Sequence, residues 1–435
     1  MIISHAIRHI RITPIAFRDP PLLNAAGIHE PWALRSIIEL ETDSGLVGIN
    51  ESYGDLPMLD VLAKTAPSLV GLSPWSLTEM AARVAALVTP PVQTASEFLG
   101  QQVSLAPGTH VSKNVAKVVS AFEVAMLDLQ GQLAGAPVVD LLGGPARDRV
   151  PFSAYLFYKY AEHADKPPSS GYPPDVWGEA LTPQQLVAQA RLMIDAYGFK
   201  SIKLKAGVLP PDEEAAGVLA LAKAFPGTPL RIDPNANWSV ATSLRIVDQL
   251  RGVLEYYEDP APGLDGMAAV ARECEVPLAT NMVVTDFAEF RRNADMGCPV
   301  RIVLSDHHYW GGLRATQQLS RLCRTFDLGL SMHSNSHLGI SLMAMTHLCA
   351  SVPLLTYACD THYPWQDEEV VAGGRLRFED GSLRVPTGPG LGVTLDRTAL
   401  ARLHDNYLNC GIRNRDDLAQ MRKYDPAFTG VQPRF

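Results

Sequence analysis

The sequence lacks the features that mark secreted, membrane-spanning and nucleic-acid-binding proteins. No apolar run in its 435 residues reaches the roughly 18 residues that a membrane-spanning helix needs. The first residues lack the organisation of a signal peptide. The formal net charge of -9 and the lack of basic runs argue against nucleic acid as a partner. We therefore expect a cytoplasmic protein that engages neither membrane nor nucleic acid.

Paired cysteines and glycine-rich phosphate loops are also missing. The chain has six cysteines, none of them in a C-x-x-C pair. Because most lie in apolar stretches, we expect reduced core thiols rather than metal ligands or nucleophiles. No Gly-x-Gly-x-x-Gly follows a first strand, which weakens the case for an open doubly wound sheet.

The chain does contain polar residues at nearly even intervals, each at the end of an apolar run. They are Lys205, Asp233, Glu258, Asn281, Asp306 and His333. Successive members are 28, 25, 23, 25 and 27 residues apart, about the length of one strand, one helix and two short loops. A parallel barrel places the ends of its strands on one rim, so these side chains should form one site.

Alternating strand and helix patterns from residue 150 onward predict an α/β fold with eight parallel strands in a closed barrel. The predicted strands are 151–158, 201–205, 230–233, 254–258, 277–280, 300–305, 328–333 and 354–359. Helical patterns fall between them, for example at 184–197 and 313–326. An open doubly wound sheet is the alternative.

The first 145 residues have a different pattern, typical of a mixed α+β unit. Partly alternating stretches occur at 7–16 and 34–49, with a hairpin turn at 42–45. Helical spacing over 115–133 ends before Gly135. Residues 89–112 are rich in Pro, Gly, Ser and Gln and predict a mobile surface loop.

Lys203 and Lys205 share one face of their predicted strand, because residues two apart point the same way. We interpret them as paired functional amines inside the barrel, since its outer face is covered by helices. The alternative is a pair of solvated lysines on an exposed edge. Two neighbouring ammonium groups depress each other's pKa, which can leave one of them as a base.

Asp233, Glu258 and Asn281 follow three consecutive strands and offer only oxygen ligands. That set suits Mg²⁺. The alternative is that each one caps the following helix. Asp259, next to Glu258, is expected to point away and to be structural.

Asp306 and His333 end the next two strands, and a carboxylate beside an imidazole fixes its tautomer and raises its basicity. We expect them to act as a dyad. His307, His308 and His337 are left without a role, and His347 is expected to serve packing in a helix.

Together these motifs resemble the enolase superfamily and, within it, the glucarate dehydratase family, from about residue 20 to the end. The resemblance implies a modified (β/α)7β TIM-type barrel over 146–379 and an N-terminal α+β capping domain over 1–145 that residues 380–435 complete. It implies Mg²⁺ held by Asp233, Glu258 and Asn281. The catalytic residues that it implies are Lys203, Lys205, Asn235, Asp306 and His333.

The resemblance also implies substrate contacts in the capping loop and the later barrel loops. They are Asn24, His29, Tyr155, Phe157, Ser334, Asn335, His362 and Arg415, the last holding the far carboxylate. Three segments depart from the family pattern. The family's Asp-Pro-His is Asp306-His307-His308 here, its His-Ser-Asn-Asn-His has a serine as fourth residue, and Glu30 adds a negative charge after His29.

The function that the resemblance implies is Mg²⁺-dependent loss of water from an acid sugar, such as the aldarate D-glucarate, to give a keto-deoxy acid. A homo-oligomer is expected on the same basis. The alternatives are an acid-sugar epimerase or racemase on the same fold, a weakly active or silent relative, and a metal-dependent barrel hydrolase. The Lys-x-Lys pair has no evident task in the hydrolase.

Overall fold

The structure, a computed structural model, describes residues 5–88, 113–164 and 175–435. The predicted loop over 89–112 lies outside the described residues. Within the described ranges, no helix combines the length and the apolar character that crossing a membrane requires.

A three-stranded antiparallel sheet in the order β1-β4-β5 forms the base of the capping domain. Its strands are β1 (Ile7–Arg18), β4 (Trp32–Thr42) and β5 (Val47–Tyr53), and the short hairpin β2 (Leu23–Asn24) and β3 (Gly27–Ile28) lies between the first two. The predicted turn joins β4 to β5, where Gly45 N donates to Thr42 O at 3.0 Å.

The helices of the capping domain are α1 (Leu56–Thr65), α2 (Leu77–Leu87), α3 (Asn114–Ala134) and α4 (Val138–Leu141). A 3-10 turn covers Ala66–Leu69. Helix α3 ends at Gly135 with φ 65°, as its sequence predicts, because the left-handed conformation favours glycine. It packs closely on β5, where a side chain at Gly48 would collide with the carbonyl of Ala125.

Seven parallel strands run from β7 to β13, each hydrogen-bonded to the next. They are β7 (Ala154–Phe157), β8 (Ile202–Lys205), β9 (Leu230–Asp233), β10 (Leu254–Glu258), β11 (Leu278–Thr280), β12 (Ile302–Ser305) and β13 (Gly329–Met332). The helices that accompany them are α5 (Pro183–Tyr197), α6 (Pro211–Ala224), α7 (Val240–Gln249), α8 (Gly263–Ala271), α9 (Phe287–Asp295), α10 (His307–Trp310), α11 (Leu313–Thr325) and α12 (Gly339–Ser351). The barrel with a capping domain is thus confirmed.

The eighth predicted strand, 354–359, is not a regular strand. Leu355 and Cys359 make single parallel bridges to Leu330 and Phe152, and this segment closes the ring between β13 and β7. The carbonyl of Ala358 accepts from Arg231 Nη1 at 2.7 Å and from Ser331 Oγ at 3.0 Å. Side chains of Arg231 and Ser331 therefore occupy a backbone carbonyl that would accept from a neighbouring strand in a regular β-ladder.

The C-terminal residues return to the capping domain. Strand β14 (Ser382–Arg384) pairs antiparallel with β6 (Arg149–Pro151). Helix α13 (Arg397–Asn409) lies on β1, where Asn406 Nδ2 donates to Ala16 O at 3.2 Å, and α14 (Asp417–Met421) lies against β3. The boundaries at 145 and 379 stay predictions. All six cysteines are free thiols.

Candidate active site

The carboxyl ends of the barrel strands bring the predicted polar side chains together, and the register explains how. Lys203 pairs with Arg231 and Lys205 with Asp233 across β8 and β9. Side chains two apart on a strand share a face, so both lysines and Asp233 point into the barrel. All three are buried, which excludes the exposed-edge alternative for the lysines.

Lys203 is enclosed by carboxylates. Its Nζ lies 2.7 Å from Glu258 Oε1 and 2.6 Å from Asp360 Oδ2, 3.7 Å from Asp233 Oδ2 and 4.6 Å from the centre of the Tyr155 ring. Burial would lower the pKa of Lys203, but Asp360 and Glu258 raise it well above its ordinary value. The expected mutual depression of the two lysines is therefore wrong for Lys203, which is an ammonium group held by acids.

Lys205 makes a second, separate set of contacts. Its Nζ donates to Asp233 Oδ2 at 2.6 Å and to Asn235 Oδ1 at 2.5 Å. Asn235 has φ 52°, a left-handed conformation that asparagine tolerates better than most residues, and its N–H donates to Asp233 Oδ1 at 2.9 Å. The loop after β9 thus folds back on its own aspartate and brings Asn235 to Lys205, as predicted.

The three predicted metal ligands converge, and their chemistry fits Mg²⁺. Asn281 Nδ2 donates to Glu258 Oε1 at 2.9 Å. Asn281 Oδ1 is buried and has no hydrogen-bond partner among the described residues, so an acceptor oxygen is left over for a cation. Burial and the nearby Asp233 raise the pKa of Glu258 well above its ordinary value. A divalent cation would relieve that repulsion, and an all-oxygen set selects Mg²⁺ over softer metals.

Asp259 lies closer to this group than its expected outward orientation suggested. One of its carboxylate oxygens is within 4.8 Å of oxygens of both Asp233 and Glu258. Its two oxygens accept from Thr280 Oγ1 at 2.5 Å and from the Asn281 N–H at 2.9 Å. The orientation predicted for Asp259 is thus wrong, but its contacts are structural, because they fix the backbone that presents Asn281.

Asp306 contacts two histidines rather than one. Its Oδ2 lies 3.6 Å from His333 Nδ1, which is adjacent but beyond hydrogen-bond distance, and His333 Nδ1 has no hydrogen-bond partner among the described residues. Its Oδ1 lies 2.7 Å from His308 Nδ1 and accepts from the His308 N–H at 2.9 Å. Burial lowers the pKa of His333 below its ordinary value, although Asp306 opposes this shift. The imidazole of His333 is therefore neutral near pH 7 and can accept a proton.

A second group of possible ligands, Asp306, His307 and His308, also has its donor atoms within 4.8 Å of one another. Both ring nitrogens of His308 are already occupied, since Nε2 lies 2.8 Å from Arg35 Nη2. A guanidinium at this position repels any cation, so the oxygen group at Asp233, Glu258 and Asn281 is the better metal site.

Four of the predicted substrate contacts form an aromatic wall beside Lys203. The ring centres of Tyr155, Phe157 and His362 are 4.6 to 5.2 Å apart, and His29 lies 5.9 Å from Phe157. Ser334 Oγ accepts from the His362 N–H at 2.9 Å. The structure thus brings Ser334 to the same wall.

Asn335 and Arg415 each have a donor nitrogen without a partner among the described residues, whereas both polar atoms of the Asn24 side chain already make hydrogen bonds. Asn335 Nδ2 is buried without a partner among the described residues. Arg415 binds Asp417 through Nε at 2.7 Å and Nη2 at 2.5 Å, which leaves Nη1 for a ligand. Asn24 Nδ2 donates to Asp417 at 2.7 Å, and its Oδ1 accepts two N–H groups of its own loop. Asn24 therefore holds the loop in the structure.

Sequence reasoning assigned no role to Asp360 or His308. Asp360 follows the eighth apolar run, at the same place as the six predicted residues follow theirs, and that signal could have identified it. His308 has no such signal, because its importance comes from Asp306 Oδ1 and from an arginine 273 positions earlier. His347 serves packing in α12 as predicted, since its Nδ1 accepts from Val139 N at 3.2 Å.

Comparison with known proteins gives the family. Residues 21–143 match the mandelate racemase / muconate lactonizing enzyme N-terminal domain, and residues 185–399 match the enolase C-terminal domain-like family. The chain belongs to the enolase superfamily. It is 51% identical, over 99% of both chains, to a probable glucarate dehydratase of Streptomyces coelicolor, so the resemblance predicted from the motifs is confirmed.

Two solved structures show how similar the fold is. An enolase of Pseudomonas fluorescens Pf0-1, solved with magnesium, potassium and tartrate, is 58% identical over 100% of both chains with a TM-score of 0.95. An enolase of Thermobispora bispora, solved with magnesium and formate, is 54% identical over 99% of this chain and 100% of its own, with a TM-score of 0.92. Magnesium in these relatives agrees with the cofactor predicted here.

Proposed function

We propose that this protein is a Mg²⁺-dependent hydro-lyase that dehydrates an acid sugar, D-glucarate or a related aldarate, to a keto-deoxy acid. The observation that supports this most is the convergence of the oxygen ligands, with Lys205 on Asp233 and Asn281 on Glu258. His333, a neutral imidazole, lies against Asp306 at the ends of the neighbouring strands. The likeness to a probable glucarate dehydratase over the whole chain supports the same reaction.

Asp233, Glu258 and Asn281 would hold the cation, which when bound supplies Lewis acidity toward the substrate carboxylate. His333 removes the proton on the carbon next to that carboxylate through Nε2, while Asp306 Oδ2 faces the Nδ1–H and stabilises the imidazolium. The ammonium of Lys203, kept charged by Asp360 and Glu258, stabilises the negative charge that develops on the carboxylate oxygens.

The imidazolium of His333 then returns its proton to the departing β-hydroxyl, which leaves as water. Lys205, held by Asp233 and Asn235, serves the opposite face of the same carbon and handles the epimeric substrate. At the far end of the substrate, Arg415 binds the second carboxylate through its free Nη1. The aromatic wall of His29, Tyr155, Phe157 and His362 excludes water from the sugar chain.

A screen of mono- and diacid sugars with added Mg²⁺ tests this function. The expected result is keto-acid formation from an aldarate, which stops on chelation of the metal. Exchange of the α-proton in D₂O without a keto product would instead favour an epimerase or racemase. If no sugar acid exchanges its α-proton, both functions are wrong. Cytoplasmic location and homo-oligomeric assembly stay predictions.

A further inference from the structure

A buried chain of polar contacts joins the capping domain to the dyad. Glu51 on β5 accepts from Arg35 Nε on β4 at 3.2 Å. Arg35 Nη2 lies 2.8 Å from His308 Nε2, and His308 Nδ1 lies 2.7 Å from Asp306 Oδ1. Each of these four residues is at most 6% exposed, so water does not compete for these contacts.

Arg35 determines the tautomer of His308. A guanidinium has only N–H donors, so the His308 Nε2 that faces it must accept. The ring proton therefore sits on Nδ1 and is donated to Asp306 Oδ1. Ser341 Oγ is also near, at 3.2 Å from Nε2, but a hydroxyl can donate as well as accept and imposes no tautomer.

This tautomer sets the orientation of the Asp306 carboxylate. Oδ1 accepts two N–H groups of His308, one from the ring and one from the backbone, which leaves Oδ2 directed at His333 Nδ1. In the other tautomer, a lone pair of His308 would face a lone pair of Asp306, and the carboxylate would have to turn.

Glu51 fixes the other end of the chain. Its two oxygens accept from Leu338 N at 2.9 Å and from Ser341 N at 3.1 Å, at the start of α12, where the helix dipole favours a negative charge. Arg35 is also held over the Tyr53 ring, 4.9 Å from its centre. Arg35 is thus held in place by elements of both domains.

We propose that Arg35, supported by Glu51, is a positioning residue that acts through His308 to hold Asp306 for proton transfer at His333. This inference rests on the proposed function. It predicts an effect on one face of the reacting carbon only, because the Arg35 chain contacts neither Lys205 nor its partners Asp233 and Asn235 in the described part of the molecule.

The test uses Arg35→Met, which removes the donors, and Arg35→Lys, which keeps the positive charge and N–H donors on a single nitrogen. The matched control is Glu39→Gln on the same strand, since Glu39 is also buried but contacts Arg11 and Arg397 instead. Exchange of the α-proton in D₂O is measured for two acid-sugar epimers, one with its proton toward His333 and one toward Lys205.

Arg35→Met should slow exchange at the His333 face by about 10- to 100-fold, the range found when an outer-shell residue that orients a functional side chain is lost. Exchange at the Lys205 face should be retained, and Arg35→Lys should recover part of the loss. Equal losses on both faces, or no loss, would overturn the proposal, because the first indicates a general structural defect.

A second measurement does not depend on turnover. Nitrogen-15 NMR of the histidine-labelled wild-type protein reports the tautomer of His308, with the signal assigned by His308→Gln. A proton on Nδ1 is the expected result, and a proton on Nε2 would contradict the proposal. If the wild type exchanges no acid sugar, the proposed function fails, while this measurement still decides whether His308 has the tautomer that its contact with Arg35 requires.

Discussion

Replacing His333 by asparagine removes the base without touching the metal ligands. The imidazole is 3% exposed, and its Nδ1 lies 3.6 Å from Asp306 Oδ2. In the described part of the molecule no hydrogen bond joins its ring to Asp233, Glu258 or Asn281. The variant should therefore bind Mg²⁺ as the wild type does. General acid–base catalysis contributes about 10²- to 10⁴-fold to a reaction rate. Turnover of the epimer whose α-proton faces His333 should therefore fall by that factor. This corresponds to an increase of about 3 to 5 kcal/mol in the activation free energy.

The assay pairs keto-acid formation with α-proton exchange in D₂O, and calorimetry measures Mg²⁺ binding. His347→Asn is the matched control, because it changes another buried histidine, bonded to Val139 N and Leu391 O, and should lower stability without altering turnover. Unchanged exchange in His333→Asn would remove the dyad from the mechanism. Loss of Mg²⁺ binding together with turnover would show that the substitution acts on the metal site instead.

Three further predictions concern the far end of the substrate and the lysine pair. Burial and the nearby Asp417 raise the pKa of Glu30 to about 7, so Glu30 gains its negative charge as the pH rises through 7. Because that charge repels an anionic substrate, KM for a diacid, measured by steady-state kinetics, should rise over this range. In Glu30→Gln the KM should stay constant. Gly27 has φ 153°, and a Cβ there would collide with the Asp417 carbonyl. Gly27→Ala should therefore raise KM for a diacid but not for a monoacid. The control Gly45→Ala, at a position with open space around it, should leave both KM values unchanged. Lys203→Met leaves buried carboxylates without their counter-charge and should destabilise the protein by about 3 to 5 kcal/mol. Urea unfolding without metal measures this loss, and an unchanged unfolding midpoint would contradict the burial of these charges.

The strand ends could be predicted from the sequence because two signals coincide there. Each apolar run ends in a polar residue, and the spacing of the runs matches one strand and one helix. Lys205, Asp233 and His333 follow this rule, and the structure places them together. The eighth run gave the right position in the ring but the wrong local structure, because Arg231 and Ser331 bind its carbonyls.

Contacts between the two domains could not be predicted in the same way. Arg35 and Glu51 lie in strands of the capping sheet whose sequences partly alternate between apolar and polar residues. A charged residue in such a strand ordinarily faces water. Arg35 and Glu51 are buried where that sheet meets α10 and the start of α12. Likewise, the pKa of Lys203 depends on Asp360, which is 157 positions away. The expectation based on its neighbour Lys205 therefore gave the wrong direction for the pKa shift.

A crystal structure with Mn²⁺ in place of Mg²⁺ and a hydroxy acid bound tests the central claim most directly. Anomalous scattering should show one strong site within coordination distance of Asp233, Glu258 and Asn281, with Lys205 and His333 on opposite sides of the bound acid. A metal at Asp306, His307 and His308 instead, or both bases on the same side of the acid, would contradict the account.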